Sequence, residues 1–269
     1  MPVSIPGPAR ELVLTPEALN QAAFAEFGTV IENPAPSLVP SSRISSLPPN
    51  AVQANQGSAL KYLDVTHMED YYPLAPSKVA SKAVMNMFVC APRRPLLPSH
   101  GHAHGHGHGH ADTRSPEGHF PIEILERHPY TTQTFIPLGL SAAETHRVRY
   151  LVIVAPSLPA TAADQHLPVP SSPAAAAAPA ARDELPGRGL PDLRRVKAFF
   201  ATGAQAVTYG AGTWHAPMVV VGGRPIDFVV VQFANGVGIE DCQEAELAAE
   251  NGPQLLVAVR VQPQTPLKL

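Results

Sequence analysis

Cysteine is nearly absent: Cys90 and Cys242 are the only two in 269 residues. They form no Cys-x-x-Cys pair and cannot staple a chain of this length, which excludes a disulfide framework and points to a reducing compartment. Charge is scarce too, at 15% of residues against the roughly 25% of ordinary domains. Lys and Arg total 19 against 22 Asp and Glu, and no basic run exceeds Arg93-Arg94 or Arg194-Arg195. A net charge of −3 offers no positive field to a polyanion, so neither nucleic acid nor an anionic membrane is an expected partner. Long apolar runs are missing: none approaches the ~18 residues of a spanning helix, and the first ten residues have neither a charged nor an apolar signal region. The expected location is the cytosol. The ending Leu267-Lys268-Leu269 shares its last two residues with a peroxisomal address, which keeps the peroxisome as the alternative.

Proline and histidine are what the chain has in excess. There are 31 Pro, and six of the 12 His alternate between His100 and His110. Two segments carry much of this bias, about 96–118 (His-rich) and 157–189 (Ala/Pro-rich), and both read as flexible, solvent-exposed inserts in a single domain spanning 1–269. Alternate histidines can bind Zn or Ni, yet a neutral low-complexity expansion explains them equally well. Deleting 99–111 should therefore spare activity.

Outside the inserts, short β-branched runs dominate: 83–91, 120–125, 131–138, 148–155, 218–221 and 226–234. Turn signals at 137–139, 222–223 and 235–236 suggest antiparallel neighbours. Thr15-Pro16-Glu17 predicts the start of a helix ending at Gly28, and Leu193, Val196, Phe199 and Phe200 predict a second over 192–202. The expected class is mainly β, a β-barrel or jelly roll with a few peripheral α-helices.

Two constellations can carry chemistry. In Glu126-Arg127-His128-Pro129-Tyr130-Thr131-Thr132-Gln133, residues two apart on a strand share a face, so Glu126 and His128 can converge while Gln133 returns from the next strand. In Tyr209-Gly210-Ala211-Gly212-Thr213-Trp214-His215, a glycine turn can bend the backbone to aim His215 at the same place. The competing plain readings are a salt-bridged surface strand for Glu126–His128 and a backbone hydrogen-bond partner for Gln133.

The Glu126-x-His128-x4-Gln133 spacing, followed by Gly212-x-x-His215, resembles the two metal-site motifs of cupins. Longer phrases are more specific: NQGSALKYLDV at 55–65, ILERHPYTTQTFIPLG at 124–139, PDLRRVKAFFATGAQAVTYGAGTWHAPM at 191–218 and DFVVVQFANGVGIEDCQEAEL at 227–247. Together they resemble the ureidoglycolate lyase family, in its insert-bearing fungal form. The resemblance implies a cupin-like double-stranded β-helix, a homodimer, and cleavage of ureidoglycolate to glyoxylate and urea in allantoin degradation. It implies a divalent metal (Ni, Zn or Mn) held by His128, His215, Gln133 and Glu126, and no organic cofactor. Glu126 or His215 is then the general base, with His128 beside them in the catalytic set. Lys61 is the candidate clamp for the substrate carboxylate, with Tyr209 and Trp214 as pocket walls; their plain readings are a solvated charge for Lys61 and a core aromatic for Trp214. Cys242 lacks a basic neighbour and reads as an inert thiol. Two further readings are hydrolysis of the ureido group with release of ammonia, and a catalytically silent cupin that stores metal.

Overall fold

The strand Val148–Ala155 is buried along almost its whole length, with Tyr150, Val152 and Val154 turned to one side and Leu151, Ile153 and Ala155 to the other. A strand buried on both faces belongs in the middle of a layered structure, and that is where it lies in the computed structural model, which describes residues 2–93, 117–141, 144, 148–170, 185–248 and 254–260.

Among the described residues, this strand, β11, is central to an eight-stranded sheet. Its companions are β1 (Val3–Pro6), β3 (Glu17–Ala18), β9 (Ile124–Arg127), β12 (Lys197–Ala201), β14 (Trp214–His215), β15 (Val219–Gly222) and β17 (Gln243–Ala248). A five-stranded sheet, ordered β4 (Gly28–Glu32), β13 (Gln205–Tyr209), β10 (Gln133–Leu138), β16 (Ile226–Ala234) and β7 (Lys82–Cys90), covers one face. Phe135, Val207, Tyr209, Phe228 and Val230 from it meet Tyr150, Val152 and Val154 in the first core. A three-stranded sheet of β2 (Leu12–Leu14), β18 (Leu255–Arg260) and β8 (Glu117–Pro121) covers the other face, where Phe120, Leu255 and Val257 join Leu151, Ile153 and Trp214 in a second core. A separate hairpin joins β5 (Ala51–Ala54) to β6 (Ala59–Tyr62). The mainly β class read from the sequence is the observed one.

Two expected helices are not there as predicted. Around Thr15, Glu17–Ala18 pairs in parallel with β12, and only α1 (Gln21–Phe24) is helical, capped by Asn20, whose side chain accepts from the Ala23 amide. The 192–202 segment makes one Asp192-capped turn and then becomes β12, antiparallel to β11. A short apolar run satisfies both periods, and here Ala198, Phe199 and Ala201 are buried between layers that only a strand can occupy. The second helix, α2 (Gly238–Asp241), follows β16.

The turn signals mark strand ends but not partners. Gly222-Gly223 separates β15, which pairs with β11, from β16, which pairs with β10 in the other sheet. The Ala/Pro-rich insert is not exposed throughout: Asp164 forms a capping box with Thr161, and Leu167 and Val169 are buried. Residues 171–184 and the His100–His110 tract lie outside the described residues.

Candidate active site

Register builds the site. Across the eight-stranded sheet Glu244, Glu126, His215 and Val154 stand directly opposite one another on β17, β9, β14 and β11. Opposed residues share a face, and Val154 identifies it as the face packed on the five-stranded sheet. His128 follows the end of β9. One ligand atom each from Glu126, His128 and His215 lie within 4.8 Å of one another. The two imidazole centroids are 5.6 Å apart, and His215 Nδ1 is 3.9 Å from Glu126 Oε1.

The glycine turn ties the two histidine segments together. Gly212, at φ +76°, takes the left-handed conformation that suits glycine, and its N–H donates to the His128 carbonyl at 2.9 Å. Gly210 N–H and the Thr213 hydroxyl both donate to the Phe27 carbonyl. His215 leaves this turn with its ring parallel to Tyr209, at 4.1 Å and 3°.

The electrostatics follow from burial. Desolvation, aided by the facing Glu244, pushes the Glu126 carboxyl up to about 7. Burial holds His215 down at about 3, and it lowers His128 as well, so both imidazoles are neutral at neutral pH. His128 Nδ1–H donates to the Asp241 carbonyl at 2.6 Å, which leaves the lone pair on Nε2. The Nε2 atoms of both histidines are buried and make no hydrogen bond. Two such lone pairs beside a carboxylate fit a divalent metal, and the carbonyl partner of His128 is the kind that orients a ligating imidazole.

The other sequence candidates are placed as follows. Gln133 stands opposite Tyr209 on β10, and its Nε2 donates to Gln232 Oε1 at 2.6 Å. Tyr209 is buried against His215. Trp214 points to the opposite side of β14, into the second core, where its Nε1–H donates to the Gly189 carbonyl and Arg127 covers its ring at 4.4 Å. Lys61 is exposed on the β5–β6 hairpin, and among the described residues its ammonium makes no hydrogen bond or ion pair with Glu126, His128 or His215. The structure thus gathers Glu126, His128 and His215, stacks Tyr209 on His215, and turns Trp214 into the second core.

A family profile for ureidoglycolate lyase matches residues 11–252. The chain belongs to the ureidoglycolate lyase family. It is 34% identical to a ureidoglycolate lyase of Schizosaccharomyces pombe over 84% of this chain and 87% of the relative. It is 33% identical to one of Saccharomyces cerevisiae, over 80% and 83%, and 26% identical to one of Burkholderia mallei, over 81% of each.

Within this ureidoglycolate lyase framework the structure adds residues that sequence reasoning missed. Glu244 and Cys242 each bring a ligand atom within 4.8 Å of Glu126. Nothing in their spacing announces this, because the register of β17 on β9 is set by the whole sheet. Burial and the neighbouring carboxylates push the Cys242 thiol up to about 12, which keeps it a protonated, unreactive thiol. Gln232 did carry a signal: it is a lone polar residue inside the apolar run 228–234.

Proposed function

We propose that this chain is a ureidoglycolate lyase that cleaves ureidoglycolate to glyoxylate and urea, with Glu126, His128 and His215 as its catalytic residues. Family membership supports the reaction. The convergence of one carboxyl group and two neutral imidazoles, buried between sheets, supports the site.

The substrate is a carbinolamide. Its hydroxyl loses a proton, the oxygen electron pair closes the aldehyde carbonyl, the C–N bond breaks, and the departing nitrogen takes up a proton as urea. No water is consumed and the net proton change is zero, so a single group that accepts at oxygen and donates at nitrogen is sufficient. Glu126, titrating near neutral pH, suits that duty, since a shuttle works best when its pKa lies near the working pH. His128 and His215 supply fixed lone pairs toward the same point, and Tyr209 keeps the His215 plane in place. Nickel, zinc or manganese would be held by the Nε2 lone pairs of His128 and His215, with Glu126 beside them free to carry the proton. Such an ion supplies Lewis acidity toward the hydroxyl and carboxylate oxygens of the substrate.

The test is incubation of chelated and metal-reconstituted protein with ureidoglycolate, with urea, glyoxylate and ammonia quantified together. Equal yields of urea and glyoxylate are expected. Ammonia without urea would overturn the lyase reading, and several bound metals with no turnover would support the storage reading instead.

The cytosol is the compartment we propose, and a homodimer is the assembly. Among the described residues no helix is long and apolar enough to cross a membrane. Strand β7 supports the dimer: it is an edge strand, it has no charged residue between Ala83 and Cys90, and Met85, Met87 and Val89 on its outer face are 76%, 57% and 70% exposed. Edges meant to stay single carry charges, prolines or bulges. Antiparallel pairing with the same strand of a second copy is self-complementary and places no like charges together.

A further inference from the structure

Gln133 and Gln232 stand opposite each other on β10 and β16, and Gln133 is also opposite Tyr209, the residue stacked on His215. The two amides therefore lie on the inner face, Gln133 one cross-strand step from the ring that stacks on His215 and Gln232 one strand further. Their mutual hydrogen bond uses a Gln133 donor and a Gln232 acceptor. What remains is one acceptor and one donor. Gln133 Oε1 is buried without any partner on a side chain that is only 4% exposed. Gln232 is half-buried, and among the described residues its Nε2 makes no hydrogen bond.

A buried carbonyl left unpaired is costly, so this one is kept for something that arrives with N–H groups. The local partners are neutral amides, Tyr209 and Val230, which suit a neutral, planar group offering N–H donors beside a carbonyl acceptor. Resting on the lyase reading above, we propose that Gln133 and Gln232 determine specificity by gripping the ureido group. Gln133 Oε1 accepts from the terminal NH2, and Gln232 Nε2 donates to the ureido carbonyl oxygen. That donation strengthens as the C–N bond breaks, because negative charge develops on the departing ureido group and spreads to its oxygen. The pair also explains how a site can reject glycolate derivatives with an apolar acyl group: a methyl in place of NH2 leaves Gln133 Oε1 unpaired.

The test uses two uncleavable probes with the full-length protein in calorimetric titrations. N-carbamoylglycine carries the ureido and carboxylate groups without the hydroxyl, and N-acetylglycine replaces the terminal NH2 with methyl. Wild type is expected to bind N-carbamoylglycine about tenfold or more tightly than N-acetylglycine. Gln133→Met should bring that ratio to within about threefold, whereas Gln232→Met, which loses the donor to the carbonyl oxygen that both probes share, should weaken both probes by about tenfold, and thermal unfolding of each variant checks that it is folded. Gln232→Met, at a half-buried position, keeps the question open to decision even if Gln133→Met fails to fold. Equal binding of the two probes by wild type, binding of neither, or wild-type affinity for both probes in a folded Gln232→Met protein overturns the proposal. The lyase reading is judged separately, by urea release from ureidoglycolate by the wild-type protein.

Discussion

Glu126 sits between Glu244 on β17 and His215 on β14. The carboxylate raises its proton affinity, and the imidazole is too deeply buried to compensate by charging. Replacing His128 or His215 with Ala is expected to lower urea production by about 10²–10⁴-fold with folding retained; wild-type rates in either variant would remove that residue from the site. The same three residues make the metal-free protein's stability depend on pH. From pH 4.5 to 6.5 the unfolded chain binds an imidazole proton that native His215, held at about 3, refuses, and native His128 takes its proton less readily than the unfolded chain because burial lowers it too. Over the same window native Glu126 keeps a proton that the unfolded carboxyl, with its ordinary value of 4.5, has lost. The histidine contributions make stability fall as pH drops, and the Glu126 contribution opposes them. Glu126→Gln should therefore steepen the decline of chelated protein by about 1.4 kcal/mol per pH unit between 4.5 and 6.5, measured by denaturant titration. An unchanged slope would mean that Glu126 titrates normally in the fold. His128 and His215 were legible in the sequence because each sits in a distinctive local phrase. Glu244 was not, since its partnership exists only once β17 has docked. Trp214 faces the second core because a side chain's face depends on which layer covers the strand.

At the scale of elements, the strands were read largely correctly, and Val148–Ala155 and Ile226–Ala234 match their observed bounds. The failure at 197–201 has a physical cause, since four or five apolar residues satisfy a helix and a doubly buried strand equally and only the layers on either side decide. One element works as a clamp. Arg127 is fully buried, and its guanidinium donates to Gln243 Oε1 and to the carbonyls of Gly187, Arg188 and Gly189, while Trp214 lies beneath it. Burial lowers its pKa to about 9, which still leaves it charged at neutral pH. It fastens segment 187–189 to the back of the strand whose front carries Glu126. Arg127→Met should cost about 3 kcal/mol or more of stability, because the buried oxygens of Gln243 and Gly189 and the carbonyls of Gly187 and Arg188 lose their donor together. A change below about 1 kcal/mol in denaturant unfolding would show that the segment is held by something else.

For the whole molecule, the open flank is β7. If a second copy covers it, Met87→Lys should shift the protein to monomers in sedimentation velocity, by placing two charges near the dyad of the paired strands. A dimer that survives this change forms elsewhere. The layered arrangement has a further consequence for how the protein comes apart. The same strand, β11, contributes alternate side chains to both cores, so neither core can melt while the other stays intact. Loosening the three-stranded sheet exposes Leu151 and Ile153, and through the shared backbone it loosens Val152 and Val154 beside His215. The candidate site thus has no local reserve: it persists for as long as the entire sandwich does and is lost in the same cooperative step.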